Sequence, residues 1–309
     1  MMDEIRMNGL QARNPLGFLA ALGALEVASR FEPTVTLHWS ATVSPRAVLT
    51  GISENVLISA VRQDAAEVLV GPVLNWPVEA PLADLKMPPE QLRRWADELY
   101  ATVHGPADRW ITDLWAGLVS EYGVDNSGQS KPTHLHFTAG QQKFLVMARA
   151  IGASLDDDRV REAVFGPWRY DSTAPSLSWD NRGERSYARR GFDPSGEKRQ
   201  GVPAADWLAF RGLAFYPTAV RFGRLATAGC QPSWKTSTFR WPVWVIPMRR
   251  PAVRRLVVNP AVSDDLARDD AALLGGLDRV GLRAIYRASI RRSDQGGYGS
   301  FGAGAAITG

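Results

Sequence analysis

The chain has a single cysteine, Cys230, four histidines and no long apolar run in its 309 residues. One cysteine excludes an internal disulfide and any zinc site built on paired thiolates. Cys230 reads as a small buried hydrophobe, with nothing near it in sequence to make it a nucleophile. No stretch approaches the roughly 18 to 20 apolar residues that span a bilayer. Asp3 and Glu4 stand where a secretory leader would be basic. These absences predict a soluble, cytoplasmic protein with no membrane partner. Three nucleotide and hydrolase signatures are also missing: the phosphate loop ending in Lys-Ser/Thr, the strand–Gly-x-Gly-x-x-Gly–helix unit and the Gly-x-Ser-x-Gly elbow. No cofactor is expected, and nothing obliges catalysis.

What is present suits a folded chain. Hydrophobic residues make up 45% of it, enough for a full core in one large or two medium domains. Most of the eleven tryptophans are expected in that core. Charge is split by position: residues 1–181 hold 15 Lys+Arg against 22 Asp+Glu, and residues 182–309 hold 21 against 10. An acidic front joined to a basic back points to a partner of opposite charge.

Hydrophobic periodicity predicts an α+β fold: a buried N-terminal helix against strands, a helical middle and a strand-rich, basic C-terminal region. A strand over 3–10 leads into Asn14-Pro15, a helix cap followed by proline at the first helical position. The helix from Leu16 to Ser29 is apolar on nearly every side except at Glu26, so it belongs in the centre of the fold. Gly17 and Gly23 would let another element pack closely against it. Strands follow over 34–40 and 46–52, then a helix capped by Ser53, a proline-rich connection over 71–89 and two amphipathic helices. The second of these carries Trp110, Leu114, Leu118 and Tyr122 on one face. Helices over 141–151 and 156–165 complete the acidic region, 1–165.

Residues 166–203 lose all periodicity and form a basic, aromatic-rich loop. The basic region 204–309 opens with a helix over 204–215. Strands are predicted over 219–225, 236–246, 256–259 and 282–291, a helix from Ser263 to about Leu274, and a turning glycine-rich tail. The regions before and after the loop can share one domain.

Two groups carry the candidate chemistry. In the loop, Arg182, Arg185, Arg189, Arg190, Lys198 and Arg199 lie among Trp179, Tyr187 and several glycines. Guanidinium forks fit phosphate, aromatic faces stack on bases, and glycine lets backbone amides approach. Further on, Lys235, Arg240, Arg249 and Arg250 are threaded with Trp234, Trp241 and Trp244. Strand alternation puts Arg240 on the face opposite Phe239 and Trp241, toward solvent or ligand. Trp179, Tyr187 and Trp234 are the stacking candidates, and Arg292 at the end of the last strand would join this surface. His134 and His136, two apart on a strand, could share a metal, but His-x-His lacks a third ligand in sequence, and no metal is assigned.

The segment Leu10-Gln-Ala-Arg-Asn-Pro-Leu-Gly-Phe-Leu-Ala-Ala-Leu-Gly-Ala-Leu-Glu26 resembles the opening of CRISPR-associated proteins of type I-U (I-G) systems. Phe137–Gln142, Tyr170–Asp180 and Asp206–Pro217 are compatible with the smaller, large-subunit-like component of those systems. The resemblance implies a non-catalytic subunit of a crRNA-guided surveillance complex. It would contact crRNA or target DNA, including a flanking motif, within a hetero-oligomer of other effector subunits. Two other readings stay open: a metal-dependent nuclease or crRNA-processing endonuclease using His134 and His136, and a scaffold that binds an acidic protein.

Overall fold

A computed structural model describes residues 3–181, 200–221, 223–231, 233–263, 281–293 and 297–308. The described chain is α+β, with helices packed among several small antiparallel sheets. The N-terminal half holds β1 (Glu4–Gln11), α1 (Pro15–Phe31), β2 (Thr36–Trp39), β3 (Arg46–Thr50), α2 (Glu54–Val70), α3 (Pro89–Ala101), α4 (Arg109–Leu118), β4 (Val119–Val124), β5 (Ser130–Pro132), α5 (Phe144–Ala153) and α6 (Asp157–Phe165). The remainder holds α7 (Pro203–Gly212), β6 (Thr218–Arg221), β7 (Arg224–Thr227), β8 (Thr238–Trp244), β9 (Met248–Arg249), α8 (Arg250–Val258), α9 (Pro260–Ser263), β10 (Leu282–Arg292), β11 (Gly299–Phe301) and β12 (Ala305–Thr308).

As the sequence predicts, α1 is the axis of the core. Asn14 Oδ1 accepts from the Leu16 amide at 3.0 Å, Pro15 opens the helix, and every residue from Pro15 to Ala28 is buried. Its closest neighbour is α7, which is also buried throughout. Glycine makes that approach possible: a Cβ at Gly23 would lie 1.7 Å from the Leu208 carbonyl oxygen, and one at Gly212 would lie 2.2 Å from that of Leu19. Each helix thus has a side-chain-free position where the other's backbone crosses it.

The first sheet runs β1–β3–β2–β9, so a strand from the basic region closes the N-terminal sheet. In the second sheet β10 pairs with β8 and with both β11 and β12. Two hairpins, β4–β5 and β6–β7, stand apart from these sheets. The Trp241 and Trp244 indoles donate to the carbonyls of Ala12 and Leu37, both at 2.8 Å, fastening β8 to the N-terminal elements. One continuous hydrophobic cluster draws on both halves of the chain.

Several predictions differ from the structure. Residues 256–259 are not a strand but the end of α8. Pro251 sits in the first turn of that helix, and Val253, Leu256 and Val257 share its buried side, a spacing invisible in a four-residue window. The glycine-rich tail contributes β11 and β12, because β10 offers it an open edge. Tyr122 does not continue α4; it is exposed in β4. His134 and His136 lie on a turn, not a strand. The predicted helix over 263–274 falls almost wholly outside the described residues.

Opposite charges meet inside the fold. Asp64 on α2 accepts from Arg211 Nε at 2.9 Å, Arg30 at 2.6 Å and the Trp207 indole at 3.3 Å. Both guanidiniums lie over the Trp110 ring, each 4.5 Å from its centroid. A second cluster joins Arg250 to Glu26 at 2.6 Å and to Asp113 at 2.7 Å, with Arg254 also on Asp113. Glu26, the one charge predicted to interrupt α1, is therefore kept buried by a cation from α8.

Candidate nucleic-acid interface

A cleft of about 470 Å³ opens where the two hairpins meet the turn at 133–138. The β4–β5 hairpin brings Tyr122 and Lys131, the β6–β7 hairpin brings Arg224, and Lys86 comes from the connection before α3. Trp234 and His134 line it from the loop before β8 and from the turn. Lys86, Lys131 and Arg224 are exposed, as is Lys235 beside Trp234; none of the four forms a salt bridge with a described carboxylate, although the charge of Lys86 acts on Asp125. Asp125 on the rim is satisfied by its own loop, accepting from Ser127 and Gln129. The Ser127 hydrogen bond is the main cause holding its carboxyl below the ordinary range.

Arg292 ties the back of the cleft together. Arg292, at the end of β10, donates to the carbonyls of His134 at 2.8 Å and His136 at 2.9 Å. Its guanidinium lies 3.6 Å from the centroid of the Trp234 ring, a cation–π contact. Burial lowers its pKa to about 10. Trp234 remains 38% exposed and Tyr122 49%, so two aromatic side chains face an opening edged by cations.

The histidines beneath have structural partners. His134 Nδ1 lies 3.3 Å from Thr227 Oγ1, and His136 Nε2 lies 2.8 Å from Asp84 Oδ1. Burial is the largest influence on His136 and holds its pKa below the usual range against the pull of Asp84. Burial acts to raise Asp84, but hydrogen bonds from His136, Leu85 and Phe144 outweigh it and leave the carboxyl lowered. Among the described residues, no group of three or more His, Cys, Asp and Glu side chains is arranged to hold a metal.

The predicted site residues separate into distinct places. Trp234 and Lys235 are at the cleft. Arg249 instead flanks a shallow apolar depression with Arg255 at the start of α8. Arg240 is buried, because β8 is covered on both faces and alternation leaves no solvent side. Arg250 is held by Glu26 and Asp113, so its charge is already compensated. Trp179 is fully buried, donates to the Leu135 carbonyl at 2.8 Å and meets Phe144 edge-on, leaving no face for a base. Arg182, Arg185, Tyr187, Arg189, Arg190, Lys198 and Arg199 lie outside the described residues.

Sequence reasoning missed Lys86, Lys131, Arg224 and Tyr122. These residues are scattered along the acidic half and the hairpins, and only tertiary packing brings them together. The one signal in sequence was Lys131 within the polar run of residues 123–133, a weak one. Among the described residues no helix is long and apolar enough to cross a membrane. Comparison with known protein families finds no match, and comparison with curated proteins finds none either.

Proposed function

We propose that this protein is a non-catalytic nucleic-acid-binding subunit of a CRISPR type I effector, contacting crRNA or target DNA through the Trp234 cleft. The observation that carries the binding reading is the cleft's composition: cations without ion-pair partners among the described residues, around two exposed aromatic rings, one of them braced by Arg292. Cations take up phosphate, and aromatic faces accept any base, which suits a single strand read without regard to sequence. The assignment to an effector complex rests on the likeness of Leu10–Glu26 and the three shorter segments.

Binding of a single-stranded oligonucleotide across a salt series tests this reading. The Lys131→Ala/Arg224→Ala protein should lose two phosphate contacts, flattening the slope of log K against log salt by about 1.4. Trp234→Ala should weaken binding by about 1–3 kcal/mol at every salt concentration. A slope unchanged by the double substitution would remove the cleft from the interface. Co-purification with other effector subunits after nuclease treatment tests the complex itself.

A further inference from the structure

A second cleft, of about 710 Å³, lies at the corner between β1, the start of α1 and the chain following α6. Arg13 and Arg46 approach it from the N-terminal elements, Trp168 and Tyr170 from the other side, and Asn8 and Gln11 contribute amides. Arg46 donates to the Asn8 carbonyl, and neither arginine pairs with a described carboxylate.

The aromatic side is built to hold its shape. The Trp168 indole donates to the Ala163 carbonyl at 2.9 Å and meets Tyr170 edge-on, with ring centroids 6.1 Å apart. A Cβ at Gly9 would lie 2.9 Å from Trp168 Nε1 and 2.3 Å from the Ala163 oxygen, so only glycine lets β1 come this close. Tyr170 has φ of 59°, in the left-handed region that side chains other than Gly, Asn and Asp seldom adopt. Its hydroxyl donates to Asp180 Oδ2 at 2.7 Å, and Asn14 donates to Asp180 Oδ1 at 3.0 Å. Asp180 is thus engaged in holding the tyrosine and the α1 cap. Strained backbone fixed by surrounding contacts is concentrated at binding sites.

We infer that this cleft binds a single nucleotide, with its phosphate on Arg13 and Arg46 and its base against Trp168 and Tyr170. Guanidinium forks match phosphate geometry, an aromatic wall accepts a base, and carboxamides such as those of Asn8 and Gln11 meet base edges. A sugar would use the aromatic ring and the amides and leave the two guanidiniums unanswered. The site is independent of the Trp234 cleft and does not rest on it.

Calorimetric titration of the full chain with AMP, and separately with adenosine, tests the inference. AMP should bind saturably and at least about tenfold more tightly than adenosine, a difference of about 1.4 kcal/mol. Arg13→Ala/Arg46→Ala should abolish that preference while the melting temperature holds, because Arg13 is exposed and the Arg46 side chain makes, among the described residues, a single hydrogen bond, to the Asn8 carbonyl. Trp234→Ala should leave AMP binding unchanged. A 5′-phosphorylated tetranucleotide separates the sources: tighter binding than AMP assigns a strand terminus, equal or weaker binding a free nucleotide. Equal affinity for AMP and adenosine, no saturation by AMP, or loss of AMP binding in Trp234→Ala rather than in the double variant would each overturn the assignment.

Discussion

Asp206 shows what position does to a single side chain. It lies in the first turn of α7, fully buried, where its Oδ1 accepts the Leu177 amide at 3.3 Å. Burial, reinforced by Asp180, pushes its carboxyl up to about 7 from the ordinary 3.8. The folded state therefore holds a proton that the unfolded state releases between about pH 4 and pH 7. Stability from this group is fully present below the unfolded value and is lost as pH rises through the folded one. Asp206→Asn should accordingly raise the melting temperature at pH 8 and leave it nearly unchanged at pH 4. Equal shifts at both pH values would show that the carboxyl does not titrate in this window. Trp179 and Trp234 make a second contrast at this scale: the two are alike in sequence, yet one donates inside the core and the other faces a cleft.

At the scale of elements, the α1–α7 pair organises the rest. Its close approach depends on Gly23 and Gly212, where any side chain would meet backbone rather than a movable side chain. Gly23→Ala should cost about 3 kcal/mol or more, at the upper end of overpacking penalties, although alanine is the better helix former by about 1 kcal/mol. Chemical denaturation measures both effects together, and a stabilised Gly23→Ala protein would contradict the packing. The α1 cap, its apolar circumference and its glycines were all legible in the sequence. The helical nature of α8 was not, because Leu256–Asn259 is equally apolar as strand or helix, and only Val253, one turn earlier, reveals the buried face. β11 and β12 were hidden for another reason: strands of three and four residues in a glycine-rich tail are too short to show an alternating pattern, and their pairing is dictated by the free edge of β10.

For the whole molecule, the division into an acidic front and a basic back has an internal use. Asp64, Glu26 and Asp113 from the front are met by Arg211, Arg250 and Arg254 from the back. Part of the charge contrast that points to an external partner is thereby consumed in holding the two halves together. Breaking a buried pair leaves the other charge uncompensated, which costs about 3–5 kcal/mol. Arg250→Ala should lower stability by about that amount in denaturant titrations, while oligonucleotide affinity under folding conditions stays within about twofold. Affinity lost without stability would return Arg250 to the binding surface.

The α+β class, the buried α1 with its cap and its close-packing glycine, and a nucleic-acid hypothesis resting on arginine and tryptophan content can all be read from the chain alone. Those features depend on local propensity and short-range periodicity, which any stretch of chain carries within itself. The fold settled which cations lack an ion-pair partner among the described residues, since each pairing depends on a carboxylate far away in sequence: Arg250 meets Glu26 across 224 residues, while Lys131 and Arg224 meet no described carboxylate. It likewise decided that Tyr122 and Trp234 share one opening, because two hairpins and a turn from separate parts of the chain converge there. Composition counts charges; only packing determines which of them are already answered.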